Sequence, residues 1–119
     1  MGSSAELGRA GQRAAEEFLG RKGYEILAVN YRRNRCEIDI IARRDVCTAF
    51  IEVKTRRGTQ YGAPREAVTP AKQRRIIQTA WAYVVEKNET GDLRFDVIEV
   101  MGRGGEFEIN HIENAFQLE

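Results

Sequence analysis

Cys36-Glu37-Ile38-Asp39-Ile40-Ile41-Ala42, followed by Arg43-Arg44-Asp45 and then by Cys47-Thr48-Ala49-Phe50-Ile51-Glu52-Val53-Lys54, is the stretch from which the fold is read. Both outer runs are rich in β-branched and apolar residues and the trio between them has turn character, so the segment predicts a β-hairpin. Alternate residues of a strand share a face. Glu37, Asp39 and Ile41 therefore point one way and Ile38, Ile40 and Ala42 the other, while Phe50, Glu52 and Lys54 oppose Ala49, Ile51 and Val53 in the second strand. A register in which paired residue numbers sum to 89 or 91 sets Asp39 directly or diagonally beside Glu52, with Glu37 and Lys54 on the same face. Neighbours of that kind lie about 5 to 8 Å apart, close enough for three carboxylates to repel one another and raise each other's pKa. Lys54 offsets one of them, and a divalent cation would offset the rest. Hard oxygen donors with positions left for water suit Mg²⁺ or Mn²⁺ better than Zn²⁺.

Working outward, small and apolar residues at three- and four-residue intervals (Leu7, Ala10, Gly11, Ala14, Ala15, Phe18, Leu19) predict an amphipathic helix over residues 7–22, stopped by Gly23. A strand over residues 24–29 follows and ends at Asn30, and residues 58–64 read as loop. Thr69 is a good N-cap with Pro70 behind it, opening a second helix whose buried stripe is expected to be Ile76, Ile77, Ala80, Trp81, Val84 and Val85, with Tyr83 near its edge. Strands over residues 93–101 and 107–112 complete the chain. The order α-β-β-β-α-β-β predicts an α/β fold, a central mixed sheet of about five strands flanked by helices. One domain over residues 1–119 is expected, with residues 1–4 disordered.

The net charge of +1 argues at first against a polyanion partner, but its distribution does not. Residues 1–31 are neutral, residues 32–75 carry twelve bases against five acids (+7), and residues 76–119 carry three against nine (−6). Lys72, Arg74 and Arg75 occupy the first turns of the second helix, where cations oppose the helix dipole and phosphate binding would explain them. With Arg32, Arg33, Arg35, Arg56, Arg57 and Gln60 they form the expected nucleic-acid-binding set, carried on loops and a helix start around the acidic cluster. His111 is the only histidine, which excludes histidine-rich metal sites, and its place near the last strand's end marks it as a surface residue. Cys36 and Cys47 lack metal-ligand spacing and read as reduced thiols of a cytoplasmic protein; no apolar run is long enough to span a membrane.

Asp39, twelve intervening residues and Glu52-Val53-Lys54 resemble the PD-(D/E)XK motif of restriction-endonuclease-like nucleases. Asn30-Tyr31-Arg32-Arg33, Glu37-Ile38-Asp39, Phe50 to Arg56, Tyr61-Gly62, Lys72, Arg94-Phe95-Asp96 and Asn114-Ala115-Phe116 further resemble the YraN-like family of uncharacterised bacterial proteins, from about Gly8 to Phe116. The resemblance implies that Asp39, Glu52 and the backbone carbonyl of Val53 hold Mg²⁺, or Mn²⁺ in its place, that Glu37 and Gln12 are further candidate ligands, and that Lys54 orients or activates the attacking water. Relatives usually carry a glutamate where Gln12 stands and a glycine where Cys36 stands. The expected function is a Mg²⁺-dependent endonuclease that binds nucleic acid and hydrolyses DNA phosphodiester bonds in branched or structured DNA. A non-catalytic nucleic-acid-binding module on the same scaffold is the alternative, and analogy with junction-resolving relatives suggests a homodimer.

Overall fold

In the computed structural model, which describes residues 4–57, 68–103 and 106–117, two helices and five strands follow in the expected order. They are α1 (Ser4–Arg21), β1 (Glu25–Arg33), β2 (Cys36–Arg44), β3 (Cys47–Arg57), α2 (Pro70–Lys87), β4 (Asp92–Arg103) and β5 (Glu106–Phe116). The strands form one sheet in the order β1-β2-β3-β4-β5, with β3 and β4 parallel and every other pair antiparallel. A parallel pair needs a long crossover, and the segment containing α2 supplies it. α1 already includes Ser4, inside the tail expected to be disordered, and β1 runs on through Asn30 to Arg33. Gln60, Tyr61 and Gly62 lie outside the described residues.

The helices cover opposite faces of the sheet, as two separate apolar clusters show. Ala15 and Leu19 of α1 pack with Ile40, Ala42, Ala49, Ile51, Ile98 and Val100. Ile76, Ala80 and Tyr83 of α2 pack with Ile38, Ile41, Phe50, Phe95 and Val97 on the other side. α1 can lie close to β3 because Gly11 carries no side chain: a Cβ there would fall within the Thr55 hydroxyl and 2.7 Å from its Cγ2. α2 begins as expected, with the Thr69 side chain accepting from the Lys72 backbone N–H at 3.2 Å and Pro70 at the first turn. Its buried side is Ile76, Thr79, Ala80 and Tyr83, so the helix is rotated from the expected stripe. Trp81 is 47% exposed and Val85 75% exposed, and neither is core.

His111 is not a surface residue either. Its side chain is 3% exposed and its Nε2 lies 2.8 Å from Oδ2 of the fully buried Asp96. Arg94 donates to both Asp96 oxygens at 2.8 Å and the Asn114 backbone N–H donates to Oδ1 at 3.0 Å. A buried carboxylate needs such compensation. Burial alone would push the Asp96 carboxyl up, but the bonds from His111, Arg94 and Asn114 outweigh it and hold the group below its ordinary value. This network ties β4 to β5 beneath α1, where Phe18 and Tyr24 stand edge-on to the His111 ring.

Candidate active site at a fork in the sheet

The β2–β3 register sums to 91, one of the two expected values, but the ladder runs only from Arg44↔Cys47 to Ile40↔Ile51. Beyond it each strand keeps its outer partner, β2 pairing with β1 as far as Cys36 and β3 with β4 as far as Arg57. The sheet therefore forks at Asp39. Asn30 stands opposite Asp39 in β1 with a φ of +52°, a left-handed conformation that asparagine tolerates. Face alternation breaks there: Ile38 packs on the α2 side while Ile40 and Ala42 pack on the α1 side, whereas strict alternation puts all three together.

At the fork, Asp39 Oδ2 accepts the Val53 backbone N–H at 2.7 Å, replacing the lost ladder bond. The N–H and C=O of one strand residue point to the same neighbouring strand, so the Val53 carbonyl also faces the gap. Glu52, with its side chain only 7% exposed, sits beside Asp39, and its Oε2 lies 2.6 Å from Lys72 Nζ and 3.3 Å from Lys54 Nζ. Burial is the main cause pushing the Asp39 carboxyl up to about 7, followed by the charge of Glu52 and, less strongly, that of Glu37; the Val53 N–H acts in the opposite sense. Burial works to lower the Lys72 ammonium, but the hydrogen bond and charge of Glu52 prevail and raise it.

Arg35, Cys36, Glu37, Asp39, Glu52, Lys72 and Arg75 enclose a cavity of about 260 Å³ on this side of the fork. Three members of the expected basic set, Arg35, Lys72 and Arg75, thus converge on the acids. Of the other described members, Arg32 stays beside the cavity through Glu37, while Arg33, Arg56 and Arg74 turn elsewhere. Arg33 pairs with Glu86 at 2.6 Å, at the C-terminal part of α2, and Arg32 pairs with Glu37 at 3.2 Å. Arg56 pairs with the buried Glu99 at 2.8 Å, and Arg74 lines a separate groove with Ile77 and Trp81. Arg32, Arg33, Arg56 and Arg57 are strand residues rather than loop residues, because β1 and β3 are longer than expected.

Among the described residues, no group of three or more His, Cys, Asp or Glu side chains is gathered in a metal-holding geometry. The expected trio is a pair, Asp39 and Glu52, because Glu37 turns to Arg32. That pair and the Val53 carbonyl still fit a hard divalent cation: they are oxygen donors, and Asp39, raised first by its burial and then by the charge of Glu52, has no cationic partner of its own among the described residues. Gln12 lies on the other side of the fork, where its Nε2 donates to Asn30 Oδ1 at 3.0 Å and to the Asp39 backbone carbonyl at 3.4 Å. There Arg9, Arg13, Asn30 and Thr55 join Gln12 around a second cavity; Asn30 and Thr55 lie in the stretches that carry the family resemblance, whereas Arg9 and Arg13 were not among the expected site residues. Asn30, read from the sequence as the end of the first strand, is the signal of the break, because asparagine between strand-forming residues interrupts a β-strand.

The family model of UPF0102, described as an uncharacterised protein family, matches residues 11–100. A UPF0102 protein of Prosthecochloris aestuarii is 47% identical to the chain, covering 96% of it and 95% of the relative. One of Chlorobium phaeobacteroides is 51% identical, with 93% and 94% covered, and one of Symbiobacterium thermophilum is 48% identical, with 95% and 98% covered.

Proposed function

The chain belongs to the UPF0102, YraN-like, family, and from that premise and the geometry of the fork we propose that it is a metal-dependent endonuclease that binds nucleic acid and hydrolyses DNA phosphodiester bonds in branched or structured DNA. The observation that carries this reading is the meeting of Asp39 and Glu52, with Lys54 beside them, in a cavity rimmed by Arg35, Lys72 and Arg75. Asp39, Glu52 and the Val53 carbonyl would hold Mg²⁺, or Mn²⁺ in its place. When bound, such an ion offsets the charge of the scissile phosphate and acidifies coordinated water.

The chain's own groups do the rest. The Val53 N–H fixes the Asp39 carboxylate, and Lys72 holds Glu52 in place from α2. Lys54, 3.3 Å from Glu52, presents an ammonium that orients water and stabilises the charge developing on the phosphoryl oxygens. Arg35 and Arg75 are exposed donors suited to the flanking phosphates.

Cleavage of four-way-junction and single-stranded DNA with Mg²⁺ or Mn²⁺ tests this reading. Asp39→Ala and Glu52→Ala should each abolish cleavage, and equal cleavage by these variants would refute it. The second reading, a non-catalytic nucleic-acid-binding module, is favoured by one observation: Glu52 already has two ammonium partners. It predicts salt-sensitive binding, weakened by Lys72→Glu, without cleavage or a metal requirement.

A further inference from the structure

The basic groups around Asp39 and Glu52 lie on the α2 side of the fork, yet Asp39 and Val53 also line the cavity on the α1 side. That second cavity, of about 520 Å³, is walled by α1 through Arg9, Gln12, Arg13 and Glu16 and by Val29, Asn30 and Thr55 of the sheet. Arg9 and Arg13 are exposed, one helical turn apart, and neither has a charged partner among the described residues. Residues at that spacing have Cβ atoms about 5 to 6 Å apart, so the two arginine side chains leave α1 from neighbouring positions on the cleft that both line. Ala5 and Gly8 leave the α1 edge open, and Glu16 is the acid of its far end. Val29 offers an exposed apolar surface on the opposite wall, and the Gln12–Asn30 bond closes the cleft next to the Asp39 carbonyl.

We propose that this cleft is a second track for the nucleic-acid backbone, on which Arg9 and Arg13 take neighbouring phosphates of a strand that crosses the fork over Asp39. The inference rests on the proposed nuclease reading and adds to it a contact surface on α1. A strand so placed has cationic partners on both sides of the acids, Arg35, Lys72 and Arg75 on one and Arg9 and Arg13 on the other. Val29 faces its sugars and bases. The acids then meet the backbone in the middle of a bound segment and not at its end, as an endonuclease requires.

The test is binding of a fluorescein-labelled oligothymidylate to the full chain by fluorescence anisotropy, in EDTA and over a range of NaCl. Each phosphate contact on a single strand contributes about 0.7 to the slope of log affinity against log salt. Arg9→Ala/Arg13→Ala should lower that slope by about 1.4, and Arg9→Lys/Arg13→Lys should restore it. Circular dichroism checks that both variants fold, which the exposure of the two arginines favours. An unchanged slope in the folded alanine variant overturns the inference alone, since Asp39→Ala can still be tested for loss of cleavage. A wild-type protein that binds no DNA at low salt overturns the inference and the nuclease reading together.

Discussion

Replacing Asp39 by asparagine should make the metal-free protein more stable at alkaline pH, although it removes a proposed metal ligand. Burial, with Glu52 and Glu37 nearby, raises the Asp39 carboxyl from 3.8 to about 7. The folded protein therefore keeps a proton between about pH 4 and pH 7 that the unfolded chain has released. Stability falls as pH rises through that window and levels off above it. One pKa unit is worth about 1.4 kcal/mol, which sets a ceiling of about 4 kcal/mol on the cost of ionised Asp39. Solvent at the partly exposed carboxyl brings the working figure to about 2 kcal/mol. Asparagine has nearly the same shape, and its Oδ1 can still accept the Val53 N–H, so the cost disappears without a cavity. In urea unfolding followed by circular dichroism in EDTA, Asp39→Asn should gain about 2 kcal/mol over wild type at pH 8 and almost nothing at pH 4, roughly 8 °C in Tm at the higher pH. Added Mg²⁺ should stabilise the wild type and leave the variant unchanged. A variant no more stable than wild type at pH 8, or a difference independent of pH, would show that ionised Asp39 carries no such cost.

Lys54→Ala should leave DNA binding within a fewfold of wild type and lower the cleavage rate about 10²- to 10³-fold, the usual effect of losing one donor to developing charge; single-turnover kinetics separate the two. Asp96→Ala strands the buried His111 and removes the main partner of the half-buried Arg94, and should cost about 3 to 5 kcal/mol in chemical denaturation. The Asp96 carboxyl lies below its ordinary value in the fold, so its contribution is complete above about pH 4 and fades as pH falls through the depressed value. Gly11→Ala improves helix propensity but drives a methyl into Thr55, so the protein should lose about 1 to 3 kcal/mol. Combining it with Thr55→Ala should recover part of that loss.

The hairpin was legible because its two runs carry alternation and turn chemistry within nineteen consecutive residues, and the order of elements follows from the same local signals. The Asp39–Glu52 pairing was legible for a related reason: parity and a short turn leave few registers. What escaped notice depends on long-range geometry. Apolar periodicity locates a helix stripe to within about one residue, and α2 is turned by that much, which exposes Trp81 and Val85 and buries Tyr83. The fork arises from the left-handed Asn30 across from Asp39, a pairing between strands that neither residue announces alone. Charge counting summed Arg33 with Arg75, although one binds Glu86 and the other rims the acids. His111 was assigned by its place in the chain, whereas its buried partner Asp96 lies in the neighbouring strand.

Everything proposed for the fork depends on Asp39 and Glu52 acting as the ligand pair of a divalent-cation site. Electron paramagnetic resonance of Mn²⁺ titrated into the full chain measures this without assuming a substrate, because bound Mn²⁺ leaves the free-ion signal. The wild type should bind Mn²⁺ saturably, with competition by Mg²⁺ and loss of binding in Asp39→Ala/Glu52→Ala. Equal binding by the double variant, or none by the wild type, would contradict it.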